Sequence, residues 1–319
     1  MQNRPFFYCF AQNPAYEFLF SSGKLCMISE MTESRNVTSE KYELPQGEFH
    51  SNLVGAKRNP MKRIVAFLCC FSFFISLCFV SASAAEGGQG FYIPRAGKKR
   101  PPLPADETII TEYDGYYIDP HVDDESEKKV LYLTFDAGYE NGNVEKILDT
   151  LAKEHVPAAF FVLGHLILEN TDLVLRMQKE GHLVCNHTKN HKDMTKCPKE
   201  EMTKNLTDLE KLCEEKTGQP IAKYFRFPEG RFSKEALRCA EELGYKTIFW
   251  SFAYADWDNG KQPSPERAKK KILENTHNGA VILLHPTSST NAEILPELIR
   301  EWKAAGYTFG TLDELTTED

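Results

Sequence analysis

From Val130 onward the chain alternates about seven times between short apolar runs and amphipathic stretches, within about 190 residues. This alternation limits the fold more than any other feature. Val130 to Phe135 reads as a buried strand ending at Asp136. Residues 143–154 read as a helix with Val144, Ile147, Leu148 and Leu151 on one face. The series continues as strand 158–163, helix 168–180, strand 182–185, and a long charged helix 198–216 closed by Gly218. Strand 223–227, helix 233–243, strand 246–250, helix 265–275, strand 280–284, helix 292–305 and a closing strand 307–311 complete it. Strand–helix alternation predicts an α/β fold, here a deformed (β/α) barrel of about seven parallel strands. A closed or nearly closed barrel fits better than an open dinucleotide-binding sheet, because no G-x-G-x-x-G follows a strand to cradle a phosphate.

In parallel barrels the chemistry sits where strands run out into loops. The ionisable residues fall at those places: Asp136 after the first strand, His187 and His191 after the third, Arg226 at the end of the fourth. Asp256 and Trp257 follow the fifth, and His285 follows the sixth. Any one of these alone reads as a cap or a loop bond; five strand ends supplying one rim carry the weight. His187 and His191 are four apart, so one helical turn or a tight loop can bring both imidazoles to one ion. Alone, that spacing is a weak signal and describes two solvated histidines more often than a metal site. Asp136, presented rigidly after an apolar strand, supplies the carboxylate that an activated water requires as base.

Upstream the texture changes. Met61-Lys-Arg, an apolar run from Ile64 to Val80 and a small-residue exit through Ala82-Ser83-Ala84 read as a signal peptide over 61–85, with an uncleaved membrane anchor as the alternative. A signal peptide belongs at an N-terminus, so residues 1–60 read as a misassigned start or a disordered extension. Residues 86–127, rich in Gly, Pro and charge, read as a linker that wraps onto the domain near Tyr113, Tyr116 and Tyr117, ahead of a domain at 128–316. The expected location is therefore secreted or at the cell wall, with membrane attachment only if the signal segment stays uncleaved. The whole chain carries a formal charge of −8. An acidic chain lacks the counterion-releasing surface of a nucleic-acid binder, and nothing in the sequence implies a protein partner. Cys185, Cys197, Cys213 and Cys239 contain no C-x-x-C pair, so no zinc ribbon is expected.

Five motifs appear in order: Thr134-Phe135-Asp136-Ala137-Gly138, His187-Thr188-Lys189-Asn190-His191, Arg226-Phe227-Pro228-Glu229-Gly230, Asp256-Trp257 and Leu283-Leu284-His285. Over about residues 128–315 this pattern resembles the polysaccharide deacetylase family, the NodB-homology domain of carbohydrate esterases. The resemblance implies a deformed (β/α) barrel and metal-dependent removal of acetyl groups from N-acetylated sugars. It implies Asp136 as general base, Arg226 as the partner that keeps it ionised, and His285 as general acid. His187 and His191 would hold one divalent metal ion, with zinc as the expected identity. Trp257 and Leu283 would wall the acetyl pocket, and the backbone N–H of Glu229 would face the oxyanion. Asp256 is placed on the substrate side with them. Two positions depart from the family pattern: Ala137 stands where a second Asp ligand is usual, and Ala253 where an Asp usually orients the acid histidine. Asp256 or Asp258 is then the candidate orienter.

The stretch Gly138-Tyr-Glu-Asn-Gly142, the motif Trp250-Ser-Phe-Ala-Tyr-Ala-Asp-Trp257 and Tyr113-Asp-Gly-Tyr-Tyr117 resemble one branch, the spore-cortex N-acetylmuramic acid deacetylases that act in muramic-δ-lactam formation. That branch implies peptidoglycan glycan strands as the partner. The alternatives are a peptidoglycan N-acetylglucosamine or chitin deacetylase, and a non-catalytic glycan-binding relic of the fold.

Overall fold

The computed structural model describes residues 18–21, 24–27 and 88–317. The signal segment expected at 61–85, and most of residues 1–60, lie outside the described residues. Within 1–60, strands β1 (Phe18–Ser21) and β2 (Lys24–Met27) pair antiparallel. The second compact unit, Ser81–Asp319, carries the parallel sheet.

Seven parallel strands make the sheet. In chain order they are β4 (Gly115–Tyr116), β5 (Val130–Ala137), β6 (Ala159–Val162), β7 (Leu183–Asn186), β8 (Ala222–Phe225), β10 (Lys246–Ile248) and β11 (Ala280–Leu284). Their spatial order is β11-β5-β6-β7-β8-β10-β4, and the short β12 (Thr308–Phe309) joins the start of β5, also parallel. Single bridges Ile118–Ala280 and Phe252–Ile282 link the two edges. The result is an α/β fold whose sheet curls into a half-barrel, as the strand–helix alternation predicts.

Side-chain alternation along each strand sorts the core into two layers. Leu131, Leu133, Phe135, Phe160, Val162, Val184, Ile282 and Leu284 pack outward against helices. Those helices include α1 (Val144–Glu154), α2 (Gly164–Glu169), α3 (Thr171–Lys179) and α7 (Ser289–Ala304). Val130, Tyr132, Phe161, Cys185, Tyr224, Ile248 and Val281 fill the inside, together with Leu312 and Leu315 of α8 (Leu312–Leu315). A fully buried Leu, Ile or Phe contributes about 1.5–3 kcal/mol relative to exposure, so a one-residue slip in any strand would exchange these layers and be strongly disfavoured. The same parity has a consequence for function. Asp136 follows Thr134, His187 follows Cys185, Arg226 follows Tyr224 and His285 follows Leu283, each two residues on, so all four aim from the inner face toward one rim.

Three expectations change. The helix expected at 168–180 is two helices, broken at Asn170 (φ −134°, ψ 50°). The helix expected from 292 begins at Ser289, because the Ser288 hydroxyl caps it by accepting from the Asn291 N–H. The segment at 86–127, expected to be mostly linker, is built into the fold from Gln89 on. There β3 (Gln89–Gly90) pairs antiparallel with β9 (Arg231–Phe232), Phe91 and Ile110 are buried, and β4 is a strand of the sheet. Its polar, Gly-rich composition conceals this, since only a few side chains dock. Gly115 is required there: a Cβ would lie 2.5 Å from the Ile110 carbonyl oxygen. The four cysteines from Cys185 on are free thiols.

Candidate active site

A cavity of about 670 Å³ opens at the C-terminal ends of the strands. Asp136, His187, His191, Glu229, Trp257, Leu283 and His285, all singled out from the sequence, line it. Trp250, Tyr254, Tyr139, Leu163 and Thr287, which sequence reasoning did not assign, line it too, with Gly138, Gly230 and Ala253 between them.

Arg226 anchors one side. Its side chain is wholly buried, over the Phe161 ring at 4.1 Å. Nη1 donates to Asp136 Oδ1 at 2.9 Å, while Nε and Nη2 donate to the carbonyls of Ile248 and Phe249. Burial disfavours the charge on Asp136, but the neighbouring His187, Arg226 and His285, with the Arg226 hydrogen bond, outweigh it and hold the carboxyl below its ordinary value. Asp136 is thus an ionised carboxylate with one oxygen occupied and the other, Oδ2, free to accept a proton.

His187 and His191 reach the cavity from a tight loop, not a helical turn. Thr188 (φ 71°) and His191 (φ 57°) both take left-handed backbone, a strained state for side chains of this kind. The loop is held in place by its surroundings. Asn186 Oδ1 accepts from the Thr188 N–H, Asn205 Oδ1 from the Lys189 N–H, and the Thr188 hydroxyl from the His191 N–H. His187 Nδ1 donates to the Arg226 carbonyl at 2.9 Å, since that oxygen can only accept. Burial pushes the His187 pKa down to about 4, so the ring is neutral and Nε2 carries a lone pair. That lone pair faces Asp136 Oδ2 at 3.5 Å. Two acceptors confront each other there, and a cation or a donor between them resolves the repulsion. The backbone-anchored Nδ1 is also the usual support for a metal-binding imidazole. The donor set therefore fits a divalent cation held by His187 and His191, whose rings stand 5.1 Å apart. Among the described residues no cluster of three His, Cys, Asp or Glu side chains forms a complete cage. Ala137 explains this in part: its methyl is buried in the sheet–helix layer and supplies no ligand.

His285 stands across the cavity. Asp256, expected on the substrate side, does not line the cavity: it is 1% exposed and sits behind His285. Its Oδ1 accepts from His285 Nδ1 and its Oδ2 from the His285 backbone N–H, both at 2.8 Å. It thereby fixes the His285 ring from behind, while Ala253 lies in the cavity wall. Burial lowers the tendency of His285 to protonate, but the hydrogen bond to Asp256 and its charge win, and the pKa is raised above that of an ordinary histidine. Asn291 reinforces the arrangement, donating from Nδ2 to Asp256 Oδ2 at 2.6 Å and to the His285 carbonyl at 3.1 Å, while its Oδ1 accepts from the Tyr254 hydroxyl. Gln262 ties the same loop down, donating to the carbonyls of Asp256 and Asp258.

The remaining wall is shaped by aromatic side chains, Leu283 and a turn. Both Trp257, 61% exposed, and Leu283, which is buried, line the cavity. Glu229 is held in left-handed backbone (φ 56°) in the turn Pro228–Gly230. Gly230, also left-handed, packs against Trp250 so closely that a Cβ would lie 2.6 Å from the indole. Tyr139 accepts from Asn259 Nδ2, and Asn141 and Asn143 both donate to the Thr287 carbonyl, joining the loop after β5 to the loop after β11.

The polysaccharide deacetylase family model matches residues 123–248. PdaA of Bacillus subtilis (strain 168), a peptidoglycan-N-acetylmuramic acid deacetylase, is 37% identical over 225 residues, which is 70% of this chain and 81% of that protein. The structure of Bacillus subtilis PdaA, a family 4 carbohydrate esterase, matches with a TM-score of 0.68 at 35% identity, over 72% of this chain and 97% of that one. A family 4 carbohydrate esterase from Bacillus anthracis matches with a TM-score of 0.57 at 37% identity, over 70% and 96%. A CE4 family pseudoenzyme from Bacillus anthracis matches with a TM-score of 0.57 at 28% identity, over 64% and 69%. The chain belongs to the polysaccharide deacetylase family, family 4 of the carbohydrate esterases.

Proposed function

We propose that this chain hydrolyses the N-acetyl group of peptidoglycan amino sugars, with N-acetylmuramic acid as the residue acted upon and muramic-δ-lactam formation in spore cortex as the setting. One observation carries the reading: a paired base and a paired acid face each other across one cavity. Asp136 is held ionised by Arg226, and His285 is held protonatable by Asp256. A glycan-binding relic has no use for either pairing. The similarity to PdaA supports the choice of sugar.

An amide carbonyl is a weak electrophile and its amine a poor leaving group. The chain's own residues address both. The acetyl methyl packs between Leu283 and Trp257, which places the carbonyl near the N–H of Glu229, a donor to the developing oxyanion. Asp136 Oδ2 takes a proton from the attacking water. His285, bound to Asp256 through Nδ1, presents Nε2–H to the nitrogen of the collapsing intermediate and releases it as the amine. A divalent ion, zinc by the chemistry of two imidazoles, would be held by His187 and His191, and when bound it supplies polarisation of the carbonyl and acidification of water. The apolar walls keep bulk solvent from these charges. Export to the cell wall by the segment at 61–85 would place the protein with its substrate.

Incubation of the full chain with peptidoglycan fragments in the presence of zinc, followed by mass spectrometry, tests the reading. Loss of acetyl mass from muramic residues is the expected result. Loss from glucosamine residues alone would move the substrate to the other amino sugar. Binding of fragments with no acetate released would leave the glycan-binding relic, which Ala137 favours, as the surviving reading.

A further inference from the structure

A second cavity, of about 500 Å³, adjoins the catalytic one, and Tyr254 lines both. Its charge is out of character for the chain. The protein as a whole carries −8, yet Arg95, Arg267, Lys270 and Lys271 line this one concavity with Glu274 as the only acid among the described residues. Lys270 pairs loosely with Glu274 at 3.7 Å. Among the described residues the side chains of Arg95, Arg267 and Lys271 make no ion pair, and all three are exposed. Local helix electrostatics explain only part of this. Lys271 lies in the last turn of α6 (Pro265–Glu274), where the dipole favours a cation. Arg267 lies in the first turn, where it does not. Arg95 comes from the N-terminal segment, whose neighbouring Gly97 packs near the Glu274 carbonyl. Cations drawn from two distant parts of an acidic chain, facing one hollow and left unneutralised, create a local positive potential suited to an anion.

We propose that this cavity binds carboxylate groups of the glycan strand whose N-acetyl group occupies the catalytic cavity; the proposal rests on the peptidoglycan reading above. Peptidoglycan carries a carboxylate on the lactyl ether of muramic acid where no stem peptide is attached, and on the stem peptide where one is, and the basic groups recognise either. Tyr254 is 4% exposed and fixed through Asn291, so it separates the two cavities as a rigid wall. A strand lying across it presents neutral sugar to Trp257 and Leu283 and negative charge to the arginines.

The test is a binding measurement on the full chain carrying Asp136→Asn, which keeps substrate intact, with and without Arg95→Gln, Arg267→Gln and Lys271→Gln. The probes are peptide-free strands, peptide-bearing strands, and both kinds with every carboxyl amidated. With the arginines and lysine in place, carboxylate strands should bind about tenfold more tightly than amidated ones, the sum of a few exposed ion pairs. In the triple variant the ratio should fall to about one. A preference with peptide-free strands assigns the lactyl carboxylate; a preference confined to peptide-bearing strands assigns the stem. No preference before neutralisation, or the same preference after it, overturns the proposal. Failure of the chain with Asp136 intact to release acetate, with the preference present, would remove the hydrolase reading and leave the anion site standing.

Discussion

Asp256 accepts hydrogen bonds from two N–H groups of His285, ring Nδ1 and the backbone, each at 2.8 Å. The contact fixes the tautomer, the rotamer and the charge preference of the ring together. A general acid works while protonated, so activity fails as pH rises through its pKa, and a raised pKa carries that limb upward. Asp256→Asn should lower the His285 pKa, move the alkaline limb of kcat to lower pH, and reduce turnover roughly tenfold or more at pH 8. His285→Ala should abolish the limb. A pH–rate profile of each variant checks both, and an alkaline limb unmoved in Asp256→Asn would separate Asp256 from the acid.

Asn291 acts one step further back. Asn291→Ala removes a donor to Asp256 Oδ2 and leaves the Tyr254 hydroxyl without its acceptor, at a cost of about 1–3 kcal/mol in stability. The expected kinetic effect is a fall in kcat with KM nearly constant, because Asn291 does not line the cavity. Tyr254→Phe should cost less. Denaturant unfolding with steady-state kinetics on the same preparations distinguishes loss of positioning from loss of fold.

The sequence made half of this acid pair legible. His285 follows an apolar strand with the parity of Val281 and Leu283, and parity alone sends it to the inner rim. Likewise Asp136, His187 and Arg226 are readable from strand ends. Asp256 was readable as a candidate orienter, yet its burial was not, because a carboxylate beside an exposed Trp257 looks solvent-facing in sequence. Asn291 lies on the helix after the strand, and only the Ser288 cap, which starts that helix early, turns it toward Asp256. Tyr139 and Tyr254 gave no periodic signal, since they stand in loops whose course depends on tertiary contacts. The N-terminal segment misled for a related reason: β3 and β4 are two residues each, too short for any alternation to register.

Arg226 ties the site to the fold. It is fully buried and its donors serve Asp136 and two carbonyls. Arg226→Met should leave the Asp136 carboxylate and both carbonyls uncompensated and destabilise the protein by about 3–5 kcal/mol. Arg226→Lys should recover part of that stability but little turnover, because an ammonium cannot match the fork of three fixed bonds. Thermal unfolding ranks the variants, and a Met variant as stable as wild type would mean that the pair contributes little to the fold.

Metal dependence can be separated from folding. Dialysis against a chelator should remove turnover and zinc should restore it, with little change in far-ultraviolet circular dichroism, since the loop at 188–191 is held by Asn186 and Asn205 rather than by an ion. His187→Ala with His191→Ala should abolish bound zinc in elemental analysis. Ala137→Asp tests the missing ligand. It places a carboxylate at a buried position in the sheet–helix layer, so the metal-free variant should unfold at a lower temperature than wild type. If the new carboxylate joins the two imidazoles, zinc binds this variant more tightly and should recover more stability in it than in wild type, because native-state stabilisation grows with affinity. Equal zinc responses in the two proteins would show that residue 137 does not reach the ion, and that two imidazoles are the whole of the protein's contribution.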